Sequence, residues 1–296
     1  MSLKLSRRRL FAGTLGALAL AASSGHAEDR PSRIVSLDYG LASTLMMFGI
    51  TPIAVASLAD WDIWVIEPEM PSSVIDLGNS WEVNFEILAT LKPDLILTTP
   101  YLDALKPRLE TYAPVLRLDV YSPDGGDVLT KAANATRQLA AAVGKEREGE
   151  EFLARAEAFF YSCRARIERL DAPPVALLGF LDARHVRVYA SPGLYDNVLK
   201  RIGLENAWPR EGNYWGFDTI GIEDLSKISD PSARLIAFEP LPADVLPKLA
   251  QSPLWNALPF SRPGQFTVIP GALMFGMVND AMRCARLLTD HLEKLA

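Results

Sequence analysis

The sequence of 296 residues is poor in the side chains that hold zinc or carry nucleophilic catalysis. It has three histidines and two cysteines, and His26 lies in the first 27 residues. The other two histidines, His185 and His291, form no cluster with Cys163 or Cys284, which disfavours a zinc site. The chain also lacks a nucleophile elbow and a Gly-rich phosphate loop. We therefore expect no catalytic residues, no metal ligands and no enzyme activity.

Long apolar runs and an excess of positive charge are absent as well. After residue 27 there is no stretch of 18 uninterrupted apolar residues, so the sequence predicts no membrane-spanning helix there. The net charge of −6 at pH 7 disfavours a nucleic-acid partner. Apolar residues make up 49% and charged residues 22%, the balance of an ordinary globular chain with one large domain or two medium ones.

The N-terminal segment is typical of an export signal. Residues 6–11 read Ser-Arg-Arg-Arg-Leu-Phe, residues 10–22 carry no charge, and Gly25-His26-Ala27 is a small-x-small cleavage site. The twin arginines favour a Tat-type signal over a plain Sec signal. No cysteine lies near the cleavage site, so no lipid anchor is expected. We predict a signal peptide over residues 1–27 and a free protein in the periplasm.

Short β-branched runs alternate with helical patterns along the rest of the chain. This order favours α/β units with a mainly parallel sheet. The predicted strands are 33–37, 53–57, 94–98, 115–118, 175–180, 186–190, 235–238 and 266–269, and the predicted helices are 42–49, 85–91, 128–143, 145–170, 197–202, 245–251 and 278–295.

One of these helices stands out by its length. Residues 145–170 contain no proline, and apolar residues recur along them at spacings of three, four and seven. This pattern predicts one helix of about 25 residues, or about 38 Å. The sequence Asp-Ala-Pro-Pro at 171–174 ends it. Cys163 lies on the apolar face, and we expect it and Cys284 to be buried thiols, although the exported location also permits a disulfide.

The segments before and after this helix resemble each other. Residues 40–50 match 193–204, and residues 84–96 match 221–236, which indicates a pseudo-repeat. We predict an N-terminal α/β lobe (28–144), a linking backbone helix (145–171) and a C-terminal α/β lobe (172–296), with a cleft between the lobes. A rigid helical connector permits only small hinge motion.

Several segments together resemble a known family. They are Arg33-Ile-Val-Ser-Leu37, Leu88-Ala-Thr-Leu-Lys-Pro-Asp-Leu-Ile96, Asn213-Tyr-Trp-Gly216 and Ser252-Pro-Leu-Trp255. With the long middle helix, they resemble the helical-backbone (class III) periplasmic binding proteins, and among these the ferric-hydroxamate binders. The resemblance implies a monomer that takes a ferric siderophore to an inner-membrane ABC permease. It implies no cofactor, because the chelator itself holds the iron.

The resemblance also implies an aromatic binding cleft between the lobes. Aromatic walls bury the apolar rim of a chelate, at about 25 cal/mol per Å². The competing interpretation of each aromatic residue is ordinary core packing, which we expect for Trp208 and Trp255. Positions that match family pocket residues are Tyr39, Trp64, Trp215 and Phe275, and local candidates are Trp81 and Tyr101.

One departure from the family concerns the ligand. The ferric-hydroxamate binders have an arginine in the loop after Asp-x-Gly, and Ser80 stands in its place here. The family's tyrosine aligns with Leu102, beside Tyr101. The cationic contact is therefore missing or supplied elsewhere, although Asn79 and Ser80 offer weaker hydrogen bonds. The same fold and transport role for cobalamin, haem or another siderophore remains the alternative.

A pair of glutamates completes the predicted sites. In the wider class, one glutamate per lobe docks on arginines of the permease, and Glu86 and Glu223 occupy equivalent places in the pseudo-repeat. Each alone is also explained by the favourable helix dipole, and Glu82 and Asp224 are neighbouring candidates.

A different class, a Tat-exported metalloenzyme, is suggested by the signal because Tat carries folded proteins loaded with cofactors. The scarcity of histidine and cysteine disfavours it.

Overall fold

A computed structural model describes residues 30–296. The predicted signal peptide, residues 1–27, lies outside the described residues. Within 30–296, none of the helices has the length and apolar character needed to cross a membrane. The described chain forms two five-stranded sheets covered by helices, so the predicted fold class of two α/β lobes around a long helix is confirmed.

The element bounds in the described part are as follows. The strands are β1 (Ile34–Ser36), β2 (Ala54–Val55), β3 (Ile75–Asp76), β4 (Leu95–Thr98), β5 (Val115–Arg117), β6 (Val175–Phe180), β7 (His185–Tyr189), β8 (Phe217–Gly221), β9 (Arg234–Phe238) and β10 (Phe266–Ile269). The helices are α1 (Tyr39–Met47), α2 (Trp61–Trp64), α3 (Phe85–Leu91), α4 (Lys106–Leu109), α5 (Val128–Ala142), α6 (Glu146–Ile167), α7 (Leu194–Ile202), α8 (Val245–Ala250), α9 (Pro253–Ala257) and α10 (Val278–Leu295). Short 3-10 helices cover Leu58–Asp60, Pro100–Leu105, Ile222–Lys227 and Pro259–Ser261.

The first sheet is parallel throughout. Its strand order is β3-β2-β1-β4-β5, and Val35 of the central strand β1 pairs with Ala54 on one side and Ile96 on the other. All residues of β1 and β4 are buried, as expected for a parallel sheet that is covered on both faces. The carboxyl ends of these strands therefore meet at one edge, where ligands bind in open α/β sheets.

The second sheet is mixed. Its order is β10-β9-β6-β7-β8, with β6, β9 and β10 parallel and β6, β7 and β8 antiparallel. Four residues, 181–184, join β6 to β7, and so short a connection can only make an antiparallel pair. The prediction of a mainly parallel sheet holds for the first half, and it is corrected in the second, where β6–β7 and β7–β8 are both antiparallel pairs.

The long helix α6 has 22 residues and is about 33 Å long, slightly shorter than predicted. It packs against α5, α7 and α10. Leu41 from the first half, Phe152 and Cys163 from α6, and Val198 from the second half belong to one apolar cluster. Cys163 and Cys284 are both buried and unpaired in the described chain. Because one core passes through both halves, separating them exposes apolar surface, which favours small hinge motion.

The pseudo-repeat is visible at its first helix. Helices α1 and α7 each have nine residues, and each ends beside a glycine of positive φ, Gly49 at 78° and Gly203 at 80°. The second matched pair differs in detail, since α3 is an α-helix whereas Ile222–Lys227 is a 3-10 helix. Both nevertheless lead into the strand beside the central one, β4 or β9.

Candidate functional site

Aromatic rings from both halves meet in one cluster. The rings of Trp81 and Tyr101, from the first half, have centroids 4.0 Å apart. Tyr101 lies 5.5 Å from Trp215 of the second half, edge to face, and Trp215 lies 5.3 Å from Phe275. These four predicted residues form, with three further rings, what we call the ring cluster. The three further members are Tyr121, Tyr214 and Phe217.

Tyr121, which links the two halves, was not among the predicted site residues. Its ring stacks on Trp215 at 6.1 Å and meets Phe275 at 5.7 Å. Its hydroxyl lies 3.0 and 2.9 Å from the carbonyl oxygens of Met274 and Gly276, which share its one donor proton. Burial raises the pKa of Tyr121 well above its usual value, with a smaller effect of nearby carboxylates, so the hydroxyl stays a neutral donor. Its place after β5, at the carboxyl edge of the first sheet, was the signal that could have found it.

The ring cluster keeps a wide apolar surface in contact with water. The exposed fraction is 51% for Trp81, 48% for Tyr101 and 36% for Tyr214. By contrast, Trp208 and Trp255 are buried in the core of the second half, as expected for structural tryptophans. Contiguous exposed aromatic rings are typical of a surface that binds a large, partly apolar ligand.

The two central tryptophans are held by the same local turn. The side-chain oxygen of Asn79 accepts a hydrogen bond from the backbone N–H of Trp81 at 2.8 Å. The side chain of Asn213 does the same for Trp215 at 2.9 Å. Such turns use the short asparagine side chain to fix the backbone two residues on. The repeated Asn-x-Trp pattern is readable from the sequence, but these turns were not predicted from it.

The position of Trp215 depends further on Gly216. This residue has a φ of 84°, and its carbonyl accepts a hydrogen bond from Ala190 N–H at 2.9 Å. A Cβ added to Gly193 would lie 2.6 Å from the Cα of Gly216. The two backbones approach so closely that neither position has room for a side chain, and this contact seats the loop of Trp215 on the start of α7.

The loop 270–277, which carries the ring of Phe275, is fixed from behind. The guanidinium of Arg283 donates to the carbonyl of Gly271 at 2.9 Å, and the hydroxyl of Tyr195 donates to the carbonyl of Ala272. Together with the contacts from Tyr121, they reach the carbonyls of Gly271, Ala272, Met274 and Gly276, half of those in the loop. A ring on such a loop is held in place before any ligand arrives, which lowers the entropic cost of binding.

Tyr39 and Trp64 make no ring contact with the ring cluster in the described part of the chain. The ring of Tyr39 meets the buried Trp61 at 5.7 Å, and its hydroxyl donates to the carbonyl of Ser57. Trp61 belongs to an apolar cluster that contains Leu273 of the loop 270–277, and Tyr39 packs against this cluster. Trp64 is 45% exposed, and the structure records no ring contact between it and the ring cluster. Its role in binding stays a prediction.

The segment that follows Trp64 is tied to α10. One carboxylate oxygen of Glu67 lies 2.5 Å from Arg283 Nη1, and the other lies 2.6 Å from Arg286 Nη2. Burial tends to raise the pKa of Glu67, but the hydrogen bonds from both arginines outweigh it and hold this pKa below its usual value. The carboxylate therefore remains charged and keeps the segment against the second half.

Ser80 lies in the loop of Trp81 and is half-buried. Its backbone N–H donates to Ser57 Oγ at 3.3 Å. The loop 77–83 contains no lysine or arginine, so the positive charge that the resemblance leads one to expect is absent from this loop. Ser80 stays a predicted ligand residue with a neutral hydroxyl.

Two carboxyl groups lie beneath the site. Asp38 caps α1 by accepting from Leu41 N–H at 2.9 Å, and Asp280 accepts from Met277 N–H at 2.8 Å. Burial raises the pKa of Asp38 to about 6 and that of Asp280 to about 7, and the charge of Asp38 adds to the shift of Asp280. Acids with a raised pKa stabilise the fold below their unfolded pKa of about 4, and this contribution is lost as the pH rises.

We expect Asp280→Asn to reduce the loss of stability between pH 5 and pH 8. The buried carboxyl must ionise in this range, at a cost of about 2–3 kcal/mol, whereas the amide has nothing to ionise. Urea unfolding at both pH values measures the effect, with Asp62→Asn as control, because Asp62 is exposed and forms no salt bridge among the described residues. Equal pH dependence in wild type and Asp280→Asn would contradict the assignment.

The predicted docking residues are available for a partner. Glu86 and Glu223 are exposed, each lies in the first turn of its helix, and neither forms a salt bridge among the described residues. A Cβ on Gly221 would lie 2.5 Å from the carboxylate of Glu223, so the glycine makes room for it. Asp224 is instead paired with Lys227 at 2.7 Å. Docking by the pair remains untested and stays a prediction.

Another concave feature of the described chain lies away from the ring cluster. A cavity of about 460 Å³ is lined by residues of α5, α6 and α7, among them Arg137, Glu157 and Lys200, and includes none of the rings. Within residues 30–296, no three His, Cys, Asp or Glu side chains are grouped to hold a metal ion.

Comparisons with known proteins all match this chain to binding proteins. The family model described as "Periplasmic binding protein" matches residues 34–273. The chain is 31% identical over 288 residues to the iron(3+)-hydroxamate-binding protein FhuD of Escherichia coli, a match that covers 97% of this chain and 96% of the relative. It is 25% identical over 238 residues to the Fe(3+)-citrate-binding protein YfmC of Bacillus subtilis, covering 79% and 72%.

Solved structures show the same similarity. The siderophore-binding protein FhuD of Vibrio cholerae, solved with Fe3+-Desferal, superposes with a TM-score of 0.83 at 28% identity, covering 90% of this chain and 99% of that one. The petrobactin-binding protein YclQ of Bacillus subtilis superposes with a TM-score of 0.71 at 15% identity, covering 89% and 93%, and this match concerns the fold alone.

Proposed function

Because this chain belongs to the periplasmic binding protein family, we propose that it captures a ferric siderophore, of the hydroxamate type, for import. The relatives from Escherichia coli and Vibrio cholerae, whose names describe iron–hydroxamate and siderophore binding, support this ligand class. In this proposal the protein is exported by the Tat route, works in the periplasm as a monomer and delivers its ligand to an inner-membrane ABC permease. It binds the chelate without transforming it.

The observation that carries the proposal is the ring cluster, to which both halves contribute. A ferric chelate presents a broad, partly apolar rim, and the exposed faces of Trp81, Tyr101 and Tyr214 offer a matching surface. Burying 200 Å² of apolar surface contributes about 5 kcal/mol before the costs of association. Rings joined across the two halves bind one ligand from both sides.

In the proposed complex the iron is coordinated by the chelator and not by the protein. The siderophore supplies the oxygen atoms around Fe³⁺, so the protein needs only to recognise the outside of the complex. Apolar contacts and a few hydrogen-bond donors are sufficient for this task. No cofactor is required.

Fluorescence tests the proposal directly. Since Trp81 and Trp215 lie in the ring cluster, we expect addition of ferrichrome or ferrioxamine to quench tryptophan emission in a saturable way. The coloured ferric complex accepts excitation energy from nearby indoles. Iron-free forms of the same chelators serve as control. Quenching by haem or cobalamin, with none by a panel of ferric hydroxamates, would reject the ligand class.

Ser80 favours a second candidate within the same fold. Without the arginine of the ferric-hydroxamate binders, the site has room for another chelate, such as cobalamin, haem or a different siderophore. The same titration separates these ligands. A Tat-exported metalloenzyme is a third hypothesis, which metal analysis of the purified protein tests. A stoichiometric metal that survives dialysis against a chelator would support it.

A further inference from the structure

A lone arginine lies at the second-half end of the ring cluster. Arg187 is on β7, where it pairs in register with Gly179 of β6 and Thr219 of β8. Its guanidinium carbon lies 4.9 Å from the centroid of the Phe217 ring. Phe217 in turn lies 6.4 Å from Phe275, so the charge is one ring away from the centre of the cluster.

This guanidinium has no oxygen acceptor among the described residues. Arg187 is half-buried, it forms no salt bridge, and its Nε is buried without a hydrogen-bond partner. Its one polar side-chain contact is Nη1 to Met274 Sδ at 4.0 Å, and a thioether is a weak acceptor. An arginine has five N–H donors, and leaving them unpaired in a partly buried place is costly.

The nearby carboxylate of Asp218 does not pair with the guanidinium of Arg187. Asp218 follows Phe217 in the sequence, but it pairs in register with Val188, so its side chain lies on the opposite face of the sheet from Arg187. Arg283, by comparison, satisfies its guanidinium with the carbonyl of Gly271 and the carboxylate of Glu67. Arg187 has no such oxygen partner among the described residues.

We propose that Arg187 donates hydrogen bonds to oxygen atoms of the bound chelate and selects ferric hydroxamates that carry a free carboxylate. The inference rests on the proposed function and deepens it. A guanidinium pairs with a carboxylate through two parallel N–H···O bonds, which gives both energy and geometric selection. The positive charge absent from the loop of Ser80 is supplied here from the second half. One arginine matches one carboxylate rather than a highly charged complex.

Affinities for three ferric chelates of different charge test this role. Ferrichrome is neutral, ferrioxamine B is cationic, and ferrioxamine B succinylated at its amine is anionic because it carries one free carboxylate. We expect Arg187→Gln to raise the Kd for the anionic chelate about tenfold or more, and that for the other two less than about threefold. Arg187→Lys should retain part of the preference. Arg184→Gln, on the exposed turn of the same hairpin, is the matched control and should change no affinity.

The outcomes separate the two proposals. If the wild type binds the ferric hydroxamates but Arg187→Gln weakens all three equally, Arg187 is structural and the inference is wrong. If the wild type binds none of the three, the proposed function itself fails. Should Arg187→Gln not fold, the wild type decides: its preference for the anionic over the cationic chelate must fall as salt rises, and a preference independent of salt overturns the inference.

Discussion

A chain that carries both Glu86→Lys and Glu223→Lys should fail to support siderophore uptake while binding the chelate with unchanged affinity. Both carboxylates are exposed and form no salt bridge within residues 30–296, and they lie at the start of helices that lead into equivalent strands of the two sheets. Docking on permease arginines by both carboxylates would turn into repulsion when both charges are reversed. Uptake of radioactive iron in cells that contain the permease, together with Kd values for the purified protein, measures the two effects separately.

The control for this experiment needs the same change of charge elsewhere. Glu146→Lys with Glu205→Lys alters the net charge equally, since both residues are exposed and unpaired among the described residues, and Glu146 also lies in the first turn of a helix. This control variant should transport normally. Normal uptake by the Glu86/Glu223 variant would remove the docking assignment, and equal loss in both variants would show that overall charge is responsible.

The second large effect concerns ligand affinity. We expect Trp215→Ala to weaken chelate binding by about 2–4 kcal/mol, or about 30- to 1000-fold, because large aromatic residues at the centre of a contact surface dominate its energy. Trp215 contacts the rings of Tyr101, Tyr121, Tyr214 and Phe275, so its loss also frees its neighbours to move. Isothermal titration with the ferric chelate gives the Kd.

Two further variants make the result specific. Trp215→Phe keeps an aromatic ring between the halves and should lose much less affinity than the alanine variant. Tyr161→Ala removes an aromatic residue that is 76% exposed on α6, outside the ring cluster, and should bind normally. An unchanged Kd for Trp215→Ala would mean that the chelate binds elsewhere, and the proposed site would be wrong.

Four of the predicted elements have the observed bounds to the residue. The bounds of α3, β6, β10 and α10 agree with the predicted ones. Local chemistry explains this accuracy: Asn84 accepts two backbone N–H groups at the start of α3, and the prolines at 173 and 174 precede β6. Such signals act between residues close in sequence, and a single sequence therefore contains them in full.

The strands β3 and β8 were not predicted, because their local sequence signals are weak. β3 has only two residues, and β8 reads Phe-Asp-Thr-Ile-Gly, with polar residues and a glycine that weaken a strand pattern. β8 exists because it pairs with β7, whose residues lie about thirty positions earlier. Pairing with a distant strand overrides weak local preference, and local periodicity does not contain this information.

By itself, the sequence determined most of the succession of strands and helices, the asparagines that form the turns before Trp81 and Trp215, and a resemblance that selected aromatic loops as the place to look. Only the tertiary structure decided which rings touch, that Tyr121 joins them, and that, among the described residues, Trp64 makes no ring contact with them and Arg187 is left without an oxygen partner. The reason is distance along the chain. Tyr101 meets Trp215, and Tyr121 meets Phe275, across more than a hundred residues, and such contacts depend on how two separate sheets pack around one core.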